Sequence, residues 1–288
     1  MTPQAGVMEV AGVDVSQQRA ELHPAQGSGL VDRPRGIHAE VGRYRLRLAN
    51  GEADRAAVCR LRFRVFNLEM GKGLESAYEN GLDADLFDRH CEHLMVEDKL
   101  ADPNSLHRVV GTYRMQSGVT ASEHLGYYAD QEFDLSPFEG MRGEILELGR
   151  AAVDRDHRTA EVLTLLWRGI AQYASDRKLR YLMGCSSLMT TDRGAGWRLH
   201  ARLREYHAAS AFQTLPRAGF ECVRDARSCT GQETEPPRLL KTYLAIGARI
   251  ASAPAWDQAF GSIDFLTWMD LLAITPGARN RFLAPLAR

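Results

Sequence analysis

"EILELGRAAVDRDHR", residues 144–158, is an apolar run interrupted by Glu147 and, three positions later, Arg150. Side chains on a regular strand alternate between its two faces, which would send these two groups in opposite directions. Gly149 changes that expectation. A glycine inside a strand often marks a bulge, which re-aims neighbouring side chains and frees a backbone N–H. With a bulge, Glu147 and Arg150 line one cleft beside an unpaired amide donor. The other reading of the same pair is a salt bridge at a strand end.

Working outward, "RTAEVLTLLWRGIAQYASDR" (158–177) carries Val162, Leu165, Leu166, Gly169, Ile170 and Tyr173 on one helical face. "RYLMGCSSL" (180–188) follows as a buried strand, so the opening segment begins a βαβ unit. Upstream, "YRLRLA" alternates as a half-exposed strand and "NGEADRAAVCRLRFRVF" has helical spacing. "EHLMVED" and "HRVVGTYRM" are two strands joined by the turn-rich "KLADPNSL". Downstream, "WRLHARLREYHAASAF" reads as a helix, "FECVRDAR" as a strand and "PPRLLKTYLAIGARIA" as a helix opened by prolines. Antiparallel strands first and a βαβ unit after indicate an α/β fold of the α+β kind. A mixed central sheet with helices on both faces is expected, rather than a doubly wound nucleotide fold.

The chain has 288 residues, 44% hydrophobic and 25% charged, ordinary for a globular protein. Residues 1–40 show little periodicity and are expected to form a flexible tail; residues 41–288 are expected to form a single domain. A net charge of −1 excludes a broadly basic nucleic-acid binder. Residues 141–230 nevertheless hold 15 Lys plus Arg against 10 Asp plus Glu, an excess suited to an acidic partner. Cys59, Cys91, Cys185, Cys222 and Cys229 are scattered and form no C-x-x-C pair, which fits a reducing cytoplasm better than a disulfide framework. Neither a signal segment nor a membrane-spanning run is visible.

Other polar groups have competing readings. Arg60, Arg62 and Arg64 on a helix are ordinarily a solvated face, and Asp83, Asp85 and Asp88 ordinarily cap turns. His90, Cys91 and His93 point in different directions and lack a matching ligand pair, so no metal site is expected. "SSLMTTDRGAGW" offers Ser186 and Ser187 but neither a nucleophile elbow nor a P-loop.

Taken in order, "RFRVF", "DADLFDRHCEHLMV", "VVGTYRM" and "EILELGRAAVDRDHR" resemble the L-ornithine N-alpha-acyltransferase and hemolysin-like branch of the GNAT acyltransferases. Long-chain N-acyl amino acid synthases and acyl-homoserine lactone synthases are relatives of that branch. The likeness extends over about residues 42–283 and implies a splayed GNAT-like sheet. It implies transfer of a fatty acyl group, often 3-hydroxyacyl, from acyl carrier protein to the alpha-amine of an amino acid. L-Ornithine is the nearest acceptor, giving a lyso-ornithine lipid. Glycine or tyrosine acylation and homoserine lactone synthesis are alternatives within the enzymes, and a non-catalytic acyl-chain binder is an alternative outside them. Residue by residue, the resemblance maps onto Arg64 and Phe66, with Arg62 competing for the arginine position, then Asp85 and Asp88, Arg114, and Glu147 with Arg150.

On that resemblance, Glu147 is expected to take the amine proton and the backbone around Gly149 to donate to the oxyanion. Arg150, with Arg64 or Arg114, would clamp the acceptor's carboxylate, and Asp85 and Asp88 its distal ammonium. Ser186 is counted among the substrate-lining residues. Direct transfer is favoured, with an acyl-enzyme on Cys185 as the alternative. "HRTAEVL" lacks the glycines that bring backbone amides onto a CoA pyrophosphate, which favours a carrier protein's phosphopantetheine arm as co-substrate, without a resident cofactor. Arg155, Arg158, Arg177, Lys178 and Arg180 would form the basic rim for that partner. The C-terminal "IDFLTWMDLL" either closes the core or rests peripherally on a bilayer.

Overall fold

A hydrophobic strand pattern dominates the computed structural model, which describes residues 36–224 and 233–282. In chain order the strands are β1 (His38–Val41), β2 (Tyr44–Leu48), β3 (Glu92–Asp98), β4 (Val109–Ser117), β5 (Ile145–Val153), β6 (Tyr181–Leu188), β7 (Arg249–Ile250), β8 (Ala255–Asp257) and β9 (Ser262–Asp270). The helices are α1 (Gly51–Arg62), α2 (Gly118–Glu123), α3 (Ala160–Asp176), α4 (Arg193–Arg202), α5 (Arg238–Ile246) and α6 (Pro276–Phe282). One sheet runs in the order β1-β2-β3-β4-β5-β6-β9-β7, with β8 also paired to β9. Every pairing is antiparallel except β5 with β6, which α3 connects as the crossover of the expected βαβ unit.

Strand alternation gives the sheet two apolar faces. Leu46, Leu94, Val96, Val110, Leu146 and Leu182 point to one face, where Val162, Leu166 and Ile170 of α3 cover them. Met95 and Ala152 point to the other face, under Val58, Leu61 and Val65 of α1 and its continuation. Further along that face, Ile145, Met183, Leu266 and Trp268 pack with Phe133 and Phe138. Each fully buried side chain of this size contributes about 1.5–3 kcal/mol, so the two faces together fix the register of the strands.

Two local departures from regular geometry shape the middle of the sheet. Opposite β5, Thr112 pairs with Ala152 but Arg114 pairs with Gly149, so Tyr113 alone faces Arg150 and Ala151. This is the expected bulge, displaced by one residue from the glycine. Arg150 adopts φ +50°, a left-handed conformation that costs a non-glycine residue about 1–3 kcal/mol. The second departure is a splay. The β5–β6 ladder stops at Glu147–Met183, although both strands continue. At the next position a Cβ on Gly184 would lie 2.2 Å from the Leu148 carbonyl oxygen, so only glycine permits the crossing.

Some boundaries differ from expectation. Ile37 and Ala39 are buried in the core and β1 begins at His38, so the folded unit starts before residue 41; the rest of the expected tail, 1–35, lies outside the described residues. The helix expected over 197–212 begins at Arg193 and ends at Arg202, and the chain continues in short 3-10 turns. "FECVRDAR" supplies only an isolated bridge at Glu221, while its end and Cys229 fall outside the described residues. "IDFLTWMDLL" is the buried strand β9; Trp268 and Met269 are each 3% exposed, so they close the core and present nothing to a bilayer. Among the described residues, no helix is long and apolar enough to cross a membrane.

Candidate active site

Glu147 is the last β5 residue before the strands part, and its side chain is buried. Tyr128 N–H donates to Oε2 at 2.9 Å and Ala129 N–H to Oε1 at 2.8 Å. Those amides open a 3-10 turn, Tyr128–Gln131, whose unpaired N–H groups suit a carboxylate. Burial pushes the Glu147 carboxyl above its ordinary value, and the two amides moderate the rise. Each oxygen keeps a lone pair for a further donor. Two residues on, a Cβ added to Gly149 would meet nothing within 4 Å, so open space adjoins the bulge.

A charged network flanks this carboxylate on the same face. Gln116 pairs with Glu147 and Arg114 with Gly149, so Arg114 and Glu147 point the same way. Arg114 donates to Asp85 at 2.6 Å and lies 3.3 Å from Asp88. Arg62, fully buried, donates to both Asp88 oxygens at 2.6 and 2.8 Å and to Asp83 at 3.1 Å. Arg150 reaches Asp85 at 3.5 Å and Asp83 at 3.8 Å, while its guanidinium lies over Phe260, Phe66 and Tyr128 at 4.9, 5.8 and 6.0 Å. Its Nε is buried without a partner. Capping and ion pairing coincide at the acids: Asp85 accepts from Phe87 N–H, and Asp88 accepts from Asp85 N–H.

The expected site is corrected at three points. Arg64 is not in the network; its guanidinium donates to the carbonyls of Leu106 and Val109 and to Asp154. Residues two apart on a helix do not share a face, so Arg62 and Arg64 cannot both point inward. The inward arginine is Arg62, at the end of α1, where a π-helical turn over Phe63–Glu69 carries Phe66 towards Arg150. Ser186 shares the α3 side of β6 with Leu182 and Gly184, opposite to Glu147, and its hydroxyl meets Thr267 at 3.3 Å. Ser187 and Cys185 are the residues on the Glu147 side. Burial pushes the Cys185 thiol well above its ordinary value, with Glu132 and Asp264 adding to the rise, which makes it a poor nucleophile for an acyl-enzyme.

The third correction concerns the basic rim. Arg155 and Arg158 precede α3, at the open end of the splay, whereas Arg177, Lys178 and Arg180 follow it, about 25 Å away along a 17-residue helix. Ile145 pairs with Tyr181 at that far end, where the strands are closed. Arg177 and Arg180 there are paired with Glu92 and Asp270. At the open end Arg158 pairs with Glu69, and Arg155 is exposed with no ion pair among the described residues. The five do not form one surface. Asp83, read as a turn cap, also joins the network through Arg62, whereas Tyr128 had no signal because a short irregular turn carries no periodicity.

The sequence matches the family described as "Acetyltransferase (GNAT) domain" over residues 61–168. It is 32% identical over 246 residues to the L-ornithine N(alpha)-acyltransferase of Rhodobacter capsulatus, spanning 82% of this chain and 93% of the relative. The chain belongs to the L-ornithine N-alpha-acyltransferase family. It is an N-acyltransferase of the GNAT fold. The Brucella abortus member of the family is also 32% identical, over 79% of this chain and 84% of its own. Among solved structures, the AHL synthase LasI aligns over 85% of this chain and 98% of its own, with 12% identity and a TM-score of 0.49. FeeM, an N-acyl amino acid synthase from uncultured soil microbes, aligns over 84% and 96%, with 13% identity and a TM-score of 0.46. In this family member the paired arginines and Glu147 stand on one face, at the mouth of the splay.

Proposed function

We infer that the protein transfers a fatty acyl group from the phosphopantetheine thioester of acyl carrier protein to the alpha-amine of L-ornithine, giving an N-acyl-ornithine. The observation that carries this reading is the buried Glu147 carboxylate, fixed by two amides at the point where β5 and β6 separate, beside open space at Gly149. The names of the relatives supply the acceptor.

An amine attacks a thioester only as the free base, and an alpha-amine is largely protonated at neutral pH. Glu147 accepts that proton, directly or through a water. Its raised affinity for protons brings it closer to the amine than an ordinary carboxylate stands. The nitrogen then adds to the thioester carbon, the oxyanion forms against the bulged backbone around Gly149, and the thiol leaves as the carbonyl re-forms. Arg150, only 10% exposed and shared loosely between Asp83 and Asp85, retains donors for the acceptor's carboxylate.

The start of α3 favours a carrier-protein donor. Thr159 caps the helix through Val162 N–H, and Glu161 stands in its first turn. Side chains and a negative charge therefore occupy the place where a CoA pyrophosphate would need bare amides. The test supplies purified protein with 3-hydroxyacyl carrier protein or the matching acyl-CoA and a panel of single amino acids, with products read by mass spectrometry. N-acyl-ornithine formed mainly from the carrier protein is expected. A preference for CoA removes the donor assignment, and a homoserine lactone or acyl-glycine product removes the acceptor.

A further inference from the structure

The turn that grips Glu147 also carries a second carboxylate. Ala129 N–H donates to Glu147, and Ala129 carbonyl accepts from Glu132 N–H at 3.1 Å. Glu132 is 3% exposed and Asp264 4% exposed. One ligand atom from each of Glu132, Asp264 and Cys185 falls within 4.8 Å of the others. Asp264 faces Ser187 across the β6–β9 pair, and Cys185 lies two positions before Ser187, all on the Glu147 side of the sheet. Among the described residues neither carboxylate forms an ion pair with a Lys, Arg or His, and Glu132 Oε2 has no hydrogen-bond partner. Asp264 accepts from the Ser262 hydroxyl at 3.0 Å, which leaves Glu132 Oε2 as the buried acceptor without a donor, a costly state. Burial drives both carboxyls upward; the charges of Asp264 and Asp257 raise Glu132 further, and Asp257 raises Asp264, whose rise is moderated by hydrogen bonds from Ser187, Ser262 and Glu132.

A cationic ligand would complete this arrangement. We propose that Glu132 and Asp264 form the pocket for the side-chain ammonium of a diamino-acid acceptor, so that they, and not Asp85 and Asp88, set the preference for a basic amino acid. The proposal rests on the reading of the site as an amino-acid N-acyltransferase. Asp85 and Asp88 are already taken by Arg114 and Arg62. Cys185 stands two residues along β6 from Met183, the partner of Glu147, a displacement of about 7 Å that matches the reach of a three-methylene amine. An ammonium brings three donors to a site where Glu132 Oε2 lacks one. A divalent metal is the other cation such a site admits, but the group lacks an imidazole and its thiol is held protonated.

Glu132→Gln and Asp264→Asn keep shape while removing charge. Steady-state acylation is measured for both variants with ornithine and with norvaline, which lacks the terminal amine, alongside metal analysis of the protein as purified. The expected result is a fall of about 10- to 100-fold in the ornithine-to-norvaline ratio of kcat/KM, carried by KM for ornithine, with norvaline unchanged. An unchanged ratio in both variants, or equal losses on both acceptors, overturns the proposal. So does a stoichiometric divalent metal in the wild type that the variants lose. Should the wild type acylate neither acceptor, the underlying reading fails, and calorimetric binding of ornithine against norvaline to wild type and Glu132→Gln still decides the pocket.

Discussion

Two groups of buried charge lie on the same face of the same sheet and differ in one respect. Arg62 and Arg114 interlock with Asp83, Asp85 and Asp88, and Arg150 leans on the same acids. Glu132 and Asp264, on the other side of Glu147, form no ion pair among the described residues. The matched group builds and orients; it joins α1, the loop before β3, and β4 around the entrance to the cleft. The unmatched group is the one proposed to receive an acceptor's ammonium. Asp257 links the two regions: it accepts from the backbone of Ala259 and Phe260, and the Phe260 ring lies against Arg150.

That difference is most easily broken by stability measurements. Replacing Arg62 with Met strands Asp83 and Asp88 in the interior, and urea unfolding is expected to show a loss of about 3–5 kcal/mol. Glu132→Gln keeps a hydrogen-bonding amide beside Asp264, so its change is expected to stay within about 1 kcal/mol, in either direction. Equal losses in the two variants would erase the distinction.

The pH dependence of stability sharpens it, because the two groups have opposite signs. Burial lowers His93, beside Asp88, to about 4, so this imidazole is neutral in the fold. Its contribution is complete above the unfolded value near 6.5 and is lost as pH falls from there towards 4. Glu132 and Asp264 are raised, so their favourable contribution is complete below the unfolded carboxylate range and fades as pH rises through their folded values. Unfolding free energies measured from pH 4 to 8 should therefore show a rising limb that His93→Leu flattens. Glu132→Gln should gain on the wild type as pH increases. A His93→Leu profile parallel to the wild type contradicts the first assignment.

The smallest expected effect lies at the surface. Reversing Arg155 and Arg158 to Glu should raise KM for acyl carrier protein by about 3- to 10-fold, while Arg177→Glu with Arg180→Glu should leave it within about twofold. The opposite order would move the donor to the closed end of the splay.

The sheet was legible where periodicity is strong. Residues 144–188 read correctly as strand, helix and strand, and Gly149 announced the bulge although the strained residue is Arg150. β9 was less legible, because "IDFLTWMDLL" is buried on both faces and so loses the alternation that marks a strand. Glu147, Arg150, Arg114, Asp85 and Asp88 were named from the resemblance in linear order, and the fold brings Arg114, Arg150 and the two acids into contact on the Glu147 side of the sheet. Arg62 and Arg64 competed for one position, because only the direction of the helix face decides between them. Glu132 and Asp264 had no signal: they are 132 positions apart in sequence, meet only where the turn after Gln131 packs on β9, and belong to no linear motif.

The central claim is that the carboxylate at the splay removes a proton from an amino-acid amine attacking a carrier-bound thioester. It is tested most directly by the rate of N-acyl-ornithine formation from 3-hydroxyacyl carrier protein in wild type and Glu147→Gln, with carrier and ornithine saturating. The account expects a fall in kcat of about 10²- to 10⁴-fold with folding retained. A Glu147→Gln enzyme that turns over at the wild-type rate would contradict it.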